Sequence, residues 1–212
     1  MDSVVAMLGI LGPLLLGVAS PGPSFIFVSR TAVARSRRAG LLSALGMGVG
    51  GLVFSLLALF GIGAVLHSHE RLFHLASLAG GLYLLHLAGM LLVHARQPLL
   101  VEEAETPAAV PTSNAFLSGL WVQISNPKTM VVYASVFASM LPADMDWWIF
   151  LVLPALIFLM EAGWYGNVAI LMSSGALRGR YIRAKVWIDA AAGLVIGGLG
   201  GHIIVDALKA LL

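Results

Sequence analysis

Hydrophobic and polar positions fall along this chain in long blocks rather than residue by residue. Six apolar stretches, at roughly 4–29, 41–66, 72–93, 116–141, 147–172 and 186–208, are separated by polar links. About 20 apolar residues carry a helix across the ~30 Å hydrocarbon core of a bilayer, and each stretch is long enough. Period-two alternation is absent and Gly and Ala are frequent, which points to helices rather than an outer-membrane barrel. The pattern therefore predicts an all-α polytopic membrane protein with six transmembrane helices. One link, 96–114, is longer than the rest and holds Pro98, Glu102, Glu103, Glu105, Pro107 and Pro111. It divides a single domain, residues 1–212, into halves 1–95 and 115–212 of three spans each. Three is odd, so the second half enters the membrane in the opposite orientation, and the topology is an inverted repeat.

Composition strengthens this picture. Hydrophobic residues make up 59% of the 212 and charged residues only 10%, where soluble domains carry about a quarter. A mean hydropathy of +0.96 leaves too few polar side chains to cover a water-exposed surface. Cysteine is absent, which excludes disulfides and thiolate metal sites. The first apolar stretch follows Met1-Asp2-Ser3 without a basic lead, so it is expected to belong to the mature fold.

The net charge of +2 says less than where the charges sit. With the N-terminus outside, the inner segments hold nine cations: Arg30, Arg35, Arg37, Arg38, Arg96, Arg178, Arg180, Arg183 and Lys185. The outer segments hold two, Arg71 and Lys209, while Lys128 lies within a span. Positive charge marks the cytoplasmic side, so both termini are expected on the non-cytoplasmic face and the 96–114 linker in the cytoplasm. Trp147, Trp148 and Trp187 read as interfacial aromatics in contact with lipid headgroups.

Two spans are interrupted. Pro21-Gly22-Pro23 puts two residues that cannot donate a backbone hydrogen bond around a glycine, and should break the first span about two-thirds of the way across. The fourth span, "GLWVQISNPKTMVVYASVFA", groups Gln123, Ser125, Asn126, Pro127 and Lys128 near its middle. Backbone groups freed at such breaks cannot face lipid and must meet protein, water or substrate. The breaks open the first helix of each half, and paired broken helices in corresponding positions point to a transporter's central site. The plainer reading is that the prolines only kink helices for packing.

Ionisable groups inside the spans are costly and are functional candidates by default. Glu161 lies deep in the fifth span, within "FLMEAGWYGNVAI", with Trp164, Tyr165 and Asn167 just beyond it. It can take up and release a proton, contact a substrate amino group, or pair with Lys128 to hold helices together. Lys128 can instead face a substrate carboxylate. Asp189, inside the cytoplasmic end of the sixth span, reads more readily as a partner of Arg183 or Lys185 than as a coupling residue. Arg30 reads as an anchor before a gate. His67, His69, His74 and Glu70 form an outer cluster better read as interfacial than as a metal site, and Tyr83 and His86 share a face at i, i+3. Gly46-Gly50, Gly193-Gly197 and Gly197-Gly201 have the spacing that lets helix backbones approach.

At these residues the chain resembles the LysE/RhtB family of amino-acid exporters, the lysine and homoserine/threonine efflux proteins. The matching elements are the opening "GVASPGPSFIFVSRTAVARSRRAGLLSALGMGVG" and the fourth-span "QISNPKTMVVYASVFA". The resemblance covers essentially the whole chain. It implies export of small amino acids or analogues across the bacterial inner membrane, driven by the proton gradient. It also implies a central region formed by Pro21, Gly22, Pro23, Asn126, Pro127 and Lys128. Many relatives carry Asn directly after Pro-Gly-Pro, and here Ser24 stands there, which removes an amide donor and acceptor. Five or six spans are proposed for the family; the charge count favours six.

No Ser/His/Asp order, HExxH, CxxC, P-loop or dinucleotide fingerprint is present, so an enzyme is not expected. Neither is a cofactor, a metal or a nucleic-acid partner. The function expected is a secondary transporter working by alternating access. A zwitterion enters from the cytoplasm between the halves. Its carboxylate meets the helix ends near Pro23 and Lys128, Asn126 or Gln123 hydrogen-bonds it, and protonation of Glu161 from outside drives the return. Ser24 belongs to the same expected binding region, with Arg30, Tyr165, Asn167 and Asp189 as gate or pathway residues. The alternatives are export of a cation or another small zwitterion, or a channel-like protein built as a homo-oligomer.

Overall fold

The computed structural model describes residues 3–68, 70–97, 114–141 and 146–212. The described residues form eight helices: α1 (Ser3–Ala19), α2 (Pro23–Ala34), α3 (Arg37–Ser68), α4 (Glu70–His94), α5 (Ala115–Ile124), α6 (Pro127–Met140), α7 (Ile149–Ser173) and α8 (Gly175–Leu211). Most of the 96–114 linker lies outside the described residues, as do His69 and the side chains of His67 and Glu70.

Both expected interruptions are helix boundaries. The first span divides into α1 and α2, which meet at an angle of 54°. Gly22 caps α2 in an extended conformation, Pro23 occupies its first turn, and the Ile26 N–H reaches the Gly22 carbonyl at 2.9 Å. Proline fits there because a first-turn N–H has no helical partner in any case. The fourth span divides in the same way. Asn126 caps α6, its side-chain oxygen accepting from the Lys128 N–H at 3.0 Å, and Pro127 follows. Each break is thus a cap residue followed by proline.

Six stretches do not become six continuous spans. Among the described residues, α3, α4, α7 and α8 each contain a segment long and apolar enough to cross a bilayer, and α1 with α2 makes a fifth candidate. The ten residues of α5 rise only about 15 Å and cannot cross alone. In the opposite direction, α8 begins at Gly175 rather than near 186 and runs for 37 residues, about 55 Å. Arg178, Arg180, Arg183 and Lys185, expected in a link, occupy its first turns, because Arg, Lys, Ala and Leu are good helix formers and no proline stops them.

The most extensive packing joins α4 to α8, α3 to α7 and α3 to α5. Small residues allow it. A Cβ on Gly46 would fall on the α5 backbone at Phe116 and Leu120, and one on Gly200 would lie 2.9 Å from the Gly81 carbonyl of α4. Gly193 and Gly197 face α4 as well, at Leu92 and Ala88, whereas Gly201 has nothing beside it.

Buried apolar residues form two clusters. One includes Ile10, Leu14, Phe54, Tyr133 and Ile157; the other includes Val18, Phe25, Met47, Tyr165 and Val168. On α7, Glu161 falls between Ile157 and Tyr165, and on α3 Gly50 and Gly51 fall between Met47 and Phe54. The interval between the two cores is polar.

Candidate functional site

The breaks bring their residues together. Ser24, one position after Pro23, accepts a hydrogen bond from Asn126 Nδ2 at 2.9 Å and donates to Gln123 Oε1 at 2.5 Å. Gln123 Nε2 donates in turn to Glu161 Oε2 at 2.7 Å, and the Tyr133 hydroxyl donates to Glu161 Oε1 at 2.7 Å. Tyr165, one helical turn beyond Glu161, shares a small pocket with Ser24. Ser24, Gln123, Asn126, Glu161 and both tyrosines are buried.

The polarity of this chain is fixed from one end. The Lys128 N–H can only donate, so Asn126 must turn Oδ1 toward it and Nδ2 toward Ser24. Ser24, already accepting, passes its own proton to Gln123 Oε1, which leaves Gln123 Nε2 facing the carboxyl group. Glu161 Oε2 is therefore committed to accepting. The cap of α6 and the state of a buried acid three residues removed in the network are one hydrogen-bonded unit.

Glu161 has no exposed surface, and among the described residues it has no cationic partner. The Lys128–Glu161 pair admitted by the sequence does not form. Lys128 instead extends along Gly22 and donates to the Ser20 carbonyl at 3.0 Å and to the Ser20 hydroxyl. Ser20 ends α1, so the ammonium of Lys128 bridges the end of one broken helix and the start of another.

Two openings adjoin these groups. A small pocket of about 20 Å³, near the space of one water molecule, touches Ser20, Gly22, Ser24, Lys128, Tyr133 and Tyr165. A cavity of about 820 Å³ is walled by Pro21, Gly22, Pro23, Asn126, Pro127 and Lys128 on one side. Arg30, Tyr83, His86, Lys185 and Asp189 are also in its wall, so the starts of α2 and α6 open onto one space.

The remaining expected residues divide. Asp189 pairs with Lys185 at 2.7 Å, as the nearer-partner reading held, and both are buried. Tyr83 and His86, whose rings lie 6.4 Å apart, face the cavity rather than the bundle interior. Asn167 does not join the site: it is exposed and donates to the Gly163 carbonyl of its own helix at 2.9 Å. Six residues past Glu161 a helix has turned about 240°, onto another face, whereas four past it Tyr165 returns to the same face. His74 lies by another opening with His202 and Asp206, and no three metal-ligating side chains gather among the described residues.

Four contributors had no signal of their own in the sequence reading. Tyr133 and Ser20 are single polar residues in apolar surroundings. Lys185 was counted as a topology charge and a partner of Asp189, not as a residue of the cavity wall. Gly51 lies flat on the Glu161 carboxyl group, where a Cβ would come within 2.6 Å of its carbon. Gly50 likewise makes room for Gln123, so the Gly50-Gly51 pair was the available clue.

The chain matches the LysE type translocator family over residues 15–207. It is 33% identical over 200 residues to the threonine efflux protein of Escherichia coli K12, covering 91% of this chain and 94% of that protein. Identity to the threonine efflux protein of Salmonella typhi is 32% over 202 residues, with the same coverage. The leucine efflux protein of Enterobacter sp. 638 is 30% identical over 172 residues, covering 79% of this chain and 78% of that one. No solved structure matches the chain.

Proposed function

This chain belongs to the LysE family of translocators, and from that premise we propose that it exports small amino acids or close analogues from the cytoplasm by proton antiport. It is a multi-pass membrane protein and a secondary transporter. We place it in the bacterial inner membrane with both termini outside, its broken helices counting as the first and fourth of six spans in two inverted halves. Nine inner against two outer cations support the orientation. The contacts of α3 with α7 and of α4 with α8, helices at equivalent positions in the halves, support the repeat.

The observation that carries the proposal is the meeting of the α2 and α6 starts at one cavity beside Lys128. First-turn N–H groups and the positive end of a helix dipole favour an anion, and two such ends converge with an ammonium group. A substrate carboxylate fits that place. Lys128 has three N–H donors and spends two of them on Ser20, so one remains for the ligand.

Glu161 carries the coupling in this reading. A proton is its counter-charge, since among the described residues no cationic side chain pairs with it. Because Oε2 is committed to Gln123, the proton sits on Oε1, and Tyr133 must then turn its O–H toward the small pocket. Reversing Gln123 instead would propagate through Ser24 and Asn126 to the α6 cap, at the cavity where substrate rests. Protonation from outside thereby favours one arrangement of the breaks and its loss inside favours the other.

Proteoliposomes containing the purified protein test the function. Preloaded L-threonine should drive uptake of labelled L-threonine by counterflow, with L-leucine competing. Lack of exchange for any member of a panel of amino acids would refute the substrate class.

A further inference from the structure

Asp189 is the buried acid of the cavity wall. It is 3% exposed, its Oδ2 is held by Lys185 at 2.7 Å, and its Oδ1 is buried without a hydrogen-bond partner among the described residues. A buried carboxylate oxygen without a donor is expensive, and such an atom needs an explanation. Lys185 cannot supply the missing bond. Its three N–H groups are taken by Asp189 and by the His94 and Ala95 carbonyls at the end of α4, each at 3.2 Å. Asp189, which lines the same cavity as Lys128, therefore holds a buried acceptor that no donor among the described residues satisfies.

We propose that Asp189 Oδ1 is the subsite for the α-ammonium group of the transported amino acid, with Lys128 and the α2 and α6 starts taking its carboxylate. The assignment rests on the amino-acid reading given above and adds to it the group that recognises the amine. The Lys185–Asp189 pair is neutral as a unit, so the charge left at the cavity wall is positive, from Lys128 and Arg30, and the acceptor without a donor is Oδ1. A zwitterion supplies the complement of both. Lys128 and Asp189 line one cavity, which suits a ligand that carries both charges on one carbon. A divalent metal ion fits poorly, since it wants six or more oxygen ligands and Asp189 offers one oxygen beside an ammonium. Tyr83, His86, Leu87 and Met90 make up a further wall, apolar with polar edges, where the substrate side chain lies.

Binding to the purified full-length protein, with labelled L-threonine as probe, tests the subsite. The competitors are 2,3-dihydroxybutanoate, which keeps the skeleton and replaces the ammonium with a hydroxyl, and L-leucine. The wild type should favour threonine over the hydroxy acid by about ten- to a hundredfold, the value of a hydrogen bond to a charged group. Asp189→Asn should weaken threonine by a similar factor, leave the hydroxy acid unchanged and so remove the discrimination. If that variant does not fold, Lys185→Met with Asp189→Leu removes the pair without stranding a buried charge, and it must lose the discrimination equally. Either variant still preferring threonine as the wild type does would overturn the subsite, as would a wild type that binds both acids alike. A wild type that binds neither threonine nor leucine would instead overturn the amino-acid reading on which the subsite stands.

Discussion

Glu161 and Asp189 are both carboxylic acids inside the helix bundle, and both are almost wholly removed from solvent. Their surroundings are opposite. Both oxygens of Glu161 accept from neutral donors, Gln123 and Tyr133, and Gly51 closes over the group from α3. Asp189 has a lysine on one oxygen, no donor on the other among the described residues, and a large cavity beside it. Burial alone would give the two acids one role. The partners separate them. An acid satisfied by hydrogen bonds and lacking a cation is suited to exchanging a proton, and one with a fixed cation and a bare oxygen is suited to holding a ligand's positive group. The network from Glu161 ends at Asn126 and Lys128, on the cavity that Asp189 also lines, so the two sites meet at the α6 cap.

The sharpest way to break this division is Glu161→Gln. The amide keeps the size of the side chain and can accept from Gln123 through its oxygen while donating to Tyr133, so the fold should persist. Counterflow of L-threonine, which requires no net proton movement, should remain near wild type. Accumulation driven by an imposed pH gradient should fall by at least about a hundredfold, toward the level of protein-free liposomes, since the counter-transported proton has lost its carrier. A variant that still accumulates threonine would show that the proton is carried elsewhere.

Next in size is a stability effect at the other acid. Lys185→Met leaves Asp189 charged, buried and without a cation, which should destabilise the protein by about 3–5 kcal/mol. Adding Asp189→Leu removes the stranded charge and should recover most of that loss, because replacing a buried pair with apolar groups is often neutral. Thermal unfolding in detergent would show a deep drop and a rescue. Recovery of stability without recovery of amine discrimination is the pattern expected if Asp189 serves the ligand as well as the fold. Recovery of both would reduce the pair to a structural clamp.

How much of this could be read from the chain depends on the kind of signal. Helix breaks are written locally: Gly22-Pro23 and Asn126-Pro127 each spell a cap followed by proline, and both appear where expected. The i, i+4 spacing of Lys185 and Asp189 is equally local. What the sequence does not carry is which side chain meets which across helices. Lys128 and Glu161 looked like natural partners because they are opposite charges inside spans, yet Gly22 lets the lysine chain run toward Ser20 instead. Tyr133 and Gly51 gain their roles only from the packing of α6 and α3 against α7. Asn167 was assigned by proximity in sequence where helical phase should have decided. The interruption of the fourth span was legible at Asn126-Pro127, but not that the piece before it, α5, is only ten residues long.

Ser24→Ala probes the link between the two sites and should have an intermediate effect. It strands Gln123 Oε1 and Asn126 Nδ2, both buried, at about 1–3 kcal/mol. Gradient-driven transport should decline while threonine affinity changes little, because the substituted hydroxyl belongs to the network rather than to the Asp189 wall. Should affinity collapse and coupling survive, Ser24 would be a ligand contact, and the network would not be what joins Glu161 to the cavity.

The smallest effect is expected at a second i, i+4 pair on the same helix. His202 Nε2 lies 3.3 Å from Asp206 Oδ2, a spacing identical to that of Lys185 and Asp189, but these side chains are 67% and 56% exposed. Exposed pairs gain little from each other because solvent screens them and ordering two side chains opposes the contact. Asp206→Asn should shift stability by less than about 0.5 kcal/mol and leave threonine affinity, counterflow and proton coupling as they are. The comparison matters because sequence spacing, helix and chemical type are held nearly constant while burial changes. If Asp206→Asn lowered the unfolding temperature as far as Lys185→Met, burial would not be what gives the inner pair its weight. The bare oxygen of Asp189 would then lose its claim to be costly enough to require a ligand.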